Sequence, residues 1–255
     1  MNSVPVRALL VRGMLAGLLA GVLAFAVAYL LGESPVDAAI AFEEQGSHGH
    51  GEEELVSRAV QSTAGLATGI LLAGVALGGI AALAFCVALG RIGRIGPRAT
   101  AGLISLGAAL TVCVVPFLKY PANPPAVGDP GTIGRRTALY FLLIALSVLL
   151  AVAAVIFGKR LAPRLGNWNA TVAAVAGFVV AMGLAYAFLP SFNEAPEGFP
   201  AAVLWQFRLG SLATQLSLWA GFGLIFGHLV ERLLVPRRAG EAKAGAESHR
   251  AAAAH

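Results

Sequence analysis

The sequence predicts an all-α polytopic membrane protein of about six transmembrane helices, and two observations carry that expectation. The 255 residues are 58% hydrophobic and 12% charged, with a mean hydropathy of +0.78, whereas soluble domains run at roughly 45–50% apolar and about 25% charged residues. Six stretches, about 13–31, 65–89, 99–118, 138–158, 170–189 and 209–230, contain no Asp, Glu, Lys or Arg. Each supplies the roughly 20 apolar residues that a helix needs to cross a bilayer.

The first stretch follows Arg7 and Arg12, and Ala39-Ile40-Ala41 resembles a signal-peptide cleavage site. Its apolar core of about 19 residues exceeds the usual 7–15 of a signal peptide, so a retained anchor is expected. The second and third stretches hold Cys86 and Cys113, read as small buried residues rather than bridge partners. The loops before the fourth stretch and after the fifth are rich in proline, from Tyr120 to Pro130 and from Pro190 to Pro200, and are predicted stiff and non-helical. Tyr120 and Trp205 suit the membrane interface. The chain thus divides into a transmembrane helical domain, 1–235, and a low-complexity cytoplasmic tail, 236–255, rich in Ala, Arg, Lys and Glu.

Orientation follows from the basic residues of short loops. With segments on alternate sides, one side carries 13 of the 18 Lys and Arg and the other five; three acidic residues lie with the first group and ten with the second. Both termini are therefore predicted cytoplasmic, with the 33–58 loop outside. The outer face is net acidic, which concentrates and steers cations. A pI near 9.7 is common among nucleic-acid-binding domains, but the basic residues are dispersed over short loops and no nucleic-acid surface is expected.

The outward loop contains Ser47-His48-Gly49-His50-Gly51-Glu52-Glu53-Glu54. His48 and His50 with Glu52, Glu53 and Glu54 offer nitrogen and oxygen ligands suited to borderline divalent cations. A glycine-rich tract must be ordered on binding, which weakens affinity, so it is read as concentrating metal rather than selecting it. Polar residues within spans form two further stripes. Arg58, Gln61, Ser62, Gly65 and Gly69 share one helical face, and Arg208, Ser211 and Gln215 share another. Such groups require partners or water in hydrocarbon, so these stripes are expected to face each other or a hydrated path, with Asn193 and Glu194 at its mouth. His228 and Glu231, one turn apart, form a weaker candidate exit. Gly13, Gly17 and Gly21, Gly65 with Gly69, Gly74 with Gly78, and Gly223 with Gly227 are spaced for close helix packing. A Walker A motif, an H-E-x-x-H and a G-x-S-x-G are lacking, so no enzyme is expected, and ATP-driven transport would need a separate subunit.

Four segments resemble the CbtA family of probable cobalt-transporter membrane subunits: Val36 to Glu43, Val56 to Thr63, Lys119 to Tyr140, and Leu189 to Trp219. The most specific is Phe192-Asn193-Glu194-Ala195-Pro196-Glu197-Gly198-Phe199-Pro200, continuing to Arg208. The resemblance implies a bacterial inner-membrane protein that takes up Co2+ for cobalamin synthesis, beside a small single-span CbtB-type partner. No permanently bound cofactor is implied, the divalent metal ion being cargo. The family is usually described with five spans where six are counted here. A non-conducting metal-sensing or scaffold subunit is the alternative reading.

Overall fold

In lipid every backbone N–H and C=O must be satisfied within its own segment, so apolar spans fold as helices. The computed structural model describes residues 6–46, 56–93 and 95–252, and all regular structure among them is helical. In chain order the elements are α1 (Val6–Gly46), α2 (Arg58–Ala88) and α3 (Pro97–Lys119), α4 (133–165) and α5 (167–188), and α6 (Ala201–Ala252).

Helical hydrogen bonding runs on from Ile133 to Phe188, yet Gly166 stands at φ 75°, ψ 161°, a conformation essentially reserved for glycine. In a straight helix Leu143 and Met182 would lie about 58 Å apart at 1.5 Å per residue. Both are instead buried in one cluster with Val115, and a Cβ on Gly158 would meet the Ala174 Cβ at 3.1 Å. The chain therefore reverses at Gly166. Counting this hairpin as one element gives five long apolar helices among the described residues; counting its arms gives six membrane-length segments.

Two boundaries differ from the sequence reading, which opens the outer loop at Glu33. The structure carries α1 through Pro35 to Gly46. Pro35 has no N–H for the Leu31 carbonyl, and Gly210 lies against that carbonyl, where a Cβ would stand 3.0 Å from the oxygen. The extension is held by Arg58, which pairs with Glu33 and, at 2.9 Å, with Asp37; Ala38, Ala39 and Ala41 favour helix. At the other end, α6 continues through the low-complexity stretch to Ala252, in keeping with its Ala, Glu, Lys and Arg content.

π-helical turns widen α2 at Gln61–Gly65 and α3 at Ala109–Val114. In α3 the cause is local: Pro116 leaves the Val112 carbonyl without its i+4 donor, and Thr111 Oγ1 donates to the Gly107 oxygen at 2.8 Å. In α2, Ser62 and Thr63 both donate to the Ala59 carbonyl, at 3.3 and 2.6 Å.

The residues fall into two units. The first comprises Met1–Ala24, Ala67–Leu106 and Ser217–His255. Here α1 and α2 touch backbone to backbone: a Cβ on Gly17 would lie 2.0 Å from the Gly74 oxygen, and one on Gly78 would lie 2.3 Å from the Gly13 oxygen. Gly223 and Gly227 of α6 likewise face Ser105 and Arg98 of α3. Phe85, Phe222 and Phe226 form an aromatic stack within this unit, and Ser105 Oγ donates to the Trp219 carbonyl. These six spaced glycines pack as expected, whereas Gly69 has nothing within 4 Å of where its Cβ would be.

The second unit comprises Phe25–Leu66 and Gly107–Leu216. Its apolar centre is Val115, Leu143 and Met182 with Tyr120, Phe178 and Tyr186 against them. Tyr186 donates to the Val115 carbonyl, and Tyr120 Oη donates to the Pro190 carbonyl at 2.8 Å. The first bond joins α5 to α3 and the second joins the two proline-rich loops beside the cavity described next.

Candidate functional site

The second unit contains a half-open cavity of about 470 Å³, within the roughly 300–1,000 Å³ usual for small-molecule pockets. Five segments build it, one of them the loop that carries Phe192. The C-terminal turns of α3 contribute Cys113 and Lys119, and the loop that follows contributes Tyr120 and Asn123; α4 contributes Arg136, Thr137 and Tyr140. From α6 come Arg208, Ser211 and Gln215, whose i, i+3, i+7 spacing sets them on one face.

Its polar groups are held by a defined network. Lys119 Nζ donates to the Tyr186 carbonyl at 2.9 Å and to Ser191 Oγ at 2.7 Å, capping the C-terminal end of α5, where a cation is favourable. Arg208 donates to the Ala122 carbonyl at 3.3 Å and to Asn123 Oδ1 at 3.0 Å, with its guanidinium carbon 5.7 Å from the centre of the Trp205 ring. Arg136 approaches Glu194 at 3.4 Å. The Cys113 thiol donates to Gln215 Oε1 at 3.6 Å. Burial pushes the Tyr120 phenol above its ordinary pKa, with the nearby Arg135 charge opposing; it stays protonated near neutrality and keeps its donor role.

Among the described residues the lining holds Lys119, Arg136 and Arg208 and no Asp or Glu. A dication about 6 Å from one such cation meets about 5 kcal/mol of repulsion at an effective dielectric constant of about 20. The cavity is therefore electrostatically unlike a carboxylate-lined cation site.

The other residues singled out from sequence are placed as follows. His48, His50, Glu52, Glu53 and Glu54 lie outside the described residues. Gln61 Nε2 donates to the Val56 carbonyl at 2.9 Å and Ser62 Oγ to its own helix; neither lines the cavity with Ser211 and Gln215. Arg58, from the same stripe, is engaged by Glu33 and Asp37. Asn193 is exposed. Glu194 accepts from Thr132 Oγ1 at 2.8 Å and from the Asp129 N–H at 2.9 Å, so its carboxylate braces the loop beside Arg136. His228 is exposed on α6, and Glu231 pairs with Arg98 at 3.6 Å. Among the described residues no group of three or more His, Cys, Asp and Glu side chains is placed to hold a metal ion.

Sequence reading missed Lys119, Asn123, Arg136 and Tyr140 as site residues. A signal was present: Lys119, Arg135 and Arg136 are basic residues on the side that the charge count makes poor in them. No curated protein and no solved structure matches the chain. The family model of CbtA, described as "Probable cobalt transporter subunit", matches residues 6–231, nearly the whole apolar region, and this multi-pass membrane chain therefore belongs to the CbtA family.

Proposed function

We propose that the chain is the membrane subunit through which a divalent transition-metal cation, cobalt, is taken up across a bacterial inner membrane to supply cobalamin synthesis. The observation that carries this reading is membership of a family described as a cobalt transporter subunit over residues 6–231. Ligand types alone do not select cobalt, since nickel and copper generally bind a given nitrogen and oxygen site more tightly. In this reading His48, His50, Glu52, Glu53 and Glu54 concentrate the ion outside. The polar helix faces carrying Gln61, Ser62, Ser211 and Gln215, with Asn193 and Glu194 at the mouth, form its route, and His228 with Glu231 stands at the exit. Both termini lie in the cytoplasm, as the distribution of basic residues supports; a C-terminal reporter found on the outer side overturns that orientation.

The subunit acts with a small single-span CbtB-type partner, consistent with the word subunit in the family description. A second reading, a non-conducting metal-sensing or scaffold subunit, draws support from the basic lining of the cavity, which repels a bare dication. Reconstitution of the purified chain in liposomes, with and without that partner, and measurement of labelled cobalt uptake separates the two. Flux with the chain alone or with the partner supports uptake. No flux in either preparation, with the chain correctly inserted, favours the scaffold.

A further inference from the structure

The cavity of the second unit has a chemistry that cation uptake leaves unexplained. Three cations line it, and among the described residues only Arg136 has a carboxylate within ion-pair distance, Glu194, which lies outside the lining. Lys119 and Arg208 are hydrogen-bonded to carbonyl, hydroxyl and amide oxygens, acceptors that hold the side chains in place and leave both charges uncompensated. Arg135 adds a further positive charge close enough to act on Tyr120.

Neutral groups of the lining can add donors to these charges. Because Arg208 can only donate, the oxygen of Asn123 must face it, and the Asn123 NH2 is what that amide offers to a ligand. The hydroxyls of Thr137, Tyr140 and Ser211, which either donate or accept, are able to turn toward an anion. Planar guanidinium forks and a point ammonium, set among hydroxyl and amide donors, match the oxygens of carboxylate and phosphate groups.

We infer that this cavity is an oxyanion-binding site, taking a small carboxylate- or phosphate-bearing anion, and that a divalent metal reaches it only as an anionic complex with such a ligand. The anion site stands on the cavity alone and is read by binding without flux, whereas the metal complex as its occupant rests on the uptake reading.

The test uses the purified full-length chain in uncharged detergent, with emission of its tryptophans as the signal, since Trp205 lies against Arg208. The probes are citrate, inorganic phosphate, cobalt chloride, cobalt citrate and phosphatidylglycerol micelles. Citrate or phosphate is expected to give a saturable response that weakens with added salt, and cobalt chloride alone, with no oxyanion present, is expected not to reproduce it. The R208Q variant is expected to lose about tenfold or more in affinity at an unchanged melting temperature. Should R208Q melt lower than the parent, R208K, which keeps the charge but lacks the fork, is expected to bind between the two. Competition by phosphatidylglycerol would identify a lipid headgroup as the source of the oxyanion; a response to cobalt citrate that phosphatidylglycerol does not displace would identify a soluble chelate. Absence of a saturable response to all the anions, equal affinity in R208Q and the parent chain, or a saturable response to cobalt chloride with no oxyanion present would overturn the inference.

Discussion

The two units solve the problem of folding in lipid in different ways. In the first, α1 and α2 meet through Gly13, Gly17, Gly74 and Gly78, with backbone oxygens where side chains would otherwise be, and the remaining space is filled by Phe85, Phe222 and Phe226. Lipid supplies no hydrophobic drive between helices, so stability there comes from close backbone approach and dispersion. The second unit gives up such density around its cavity and is held by directed bonds from long side chains, Lys119, Tyr120, Tyr186 and Arg208. The difference teaches where chemistry can be sought: a dry, glycine-tight contact leaves no room for a ligand, while a network that spends its side chains on loop carbonyls keeps a polar space open.

The largest expected effect lies in the first unit. A Cβ at Gly17 would stand 2.0 Å from the Gly74 oxygen and 2.9 Å from its carbonyl carbon, and backbone on both sides cannot yield as a flexible side chain would. Gly17→Val is therefore expected to cost about 3 kcal/mol or more, the upper range for overpacking, read as a lowered melting temperature in detergent. Gly69→Ala supplies the matched control. Nothing lies within 4 Å of its Cβ position, so relief of the glycine entropy cost should leave stability unchanged or raised by up to about 1 kcal/mol. Equal losses in the two variants would show that the close contact in the first unit contributes nothing to stability.

Much of this contrast was legible in the sequence, and the remainder was not for identifiable reasons. Charge-free stretches of about 20 residues read directly as spans because lipid tolerates little else, and the glycine spacing announced close packing although not its partner. The stripe of Arg208, Ser211 and Gln215 follows from helical periodicity alone. The rest of the cavity did not, because its walls run from Cys113 to Gln215 and are brought together only by tertiary contacts such as Tyr120 with Pro190. Gln61 and Ser62 look from sequence like partners of that stripe, yet hydroxyls and amides near a π-helical turn can satisfy themselves on their own backbone, as both do. The extension of α1 was hidden for a similar reason. Glu33, Pro35 and Asp37 read locally as a helix end, and only Arg58, 21 residues beyond Asp37, neutralises the acids that make them look like loop.

The smallest effect on stability, in the second unit, is the most discriminating because it should carry two signs. Glu194 accepts from Thr132 and the Asp129 N–H and faces Arg136. Gln at this position keeps an acceptor for the loop but loses the charge, so Glu194→Gln is expected to cost about 1 kcal/mol of stability, reduced by the partial exposure of the pair. The same change removes the carboxylate that offsets Arg136 beside the cavity. If the lining works as a positively charged site, citrate or phosphate should bind the variant several-fold more tightly than the parent chain, while the melting temperature falls. In the glycine contact of the first unit no substitution offers such a trade, since a methyl group there has only backbone to displace. Weaker anion binding by Glu194→Gln would mean that Glu194 matters to the cavity by holding its shape, and that charge is not what distinguishes the two units.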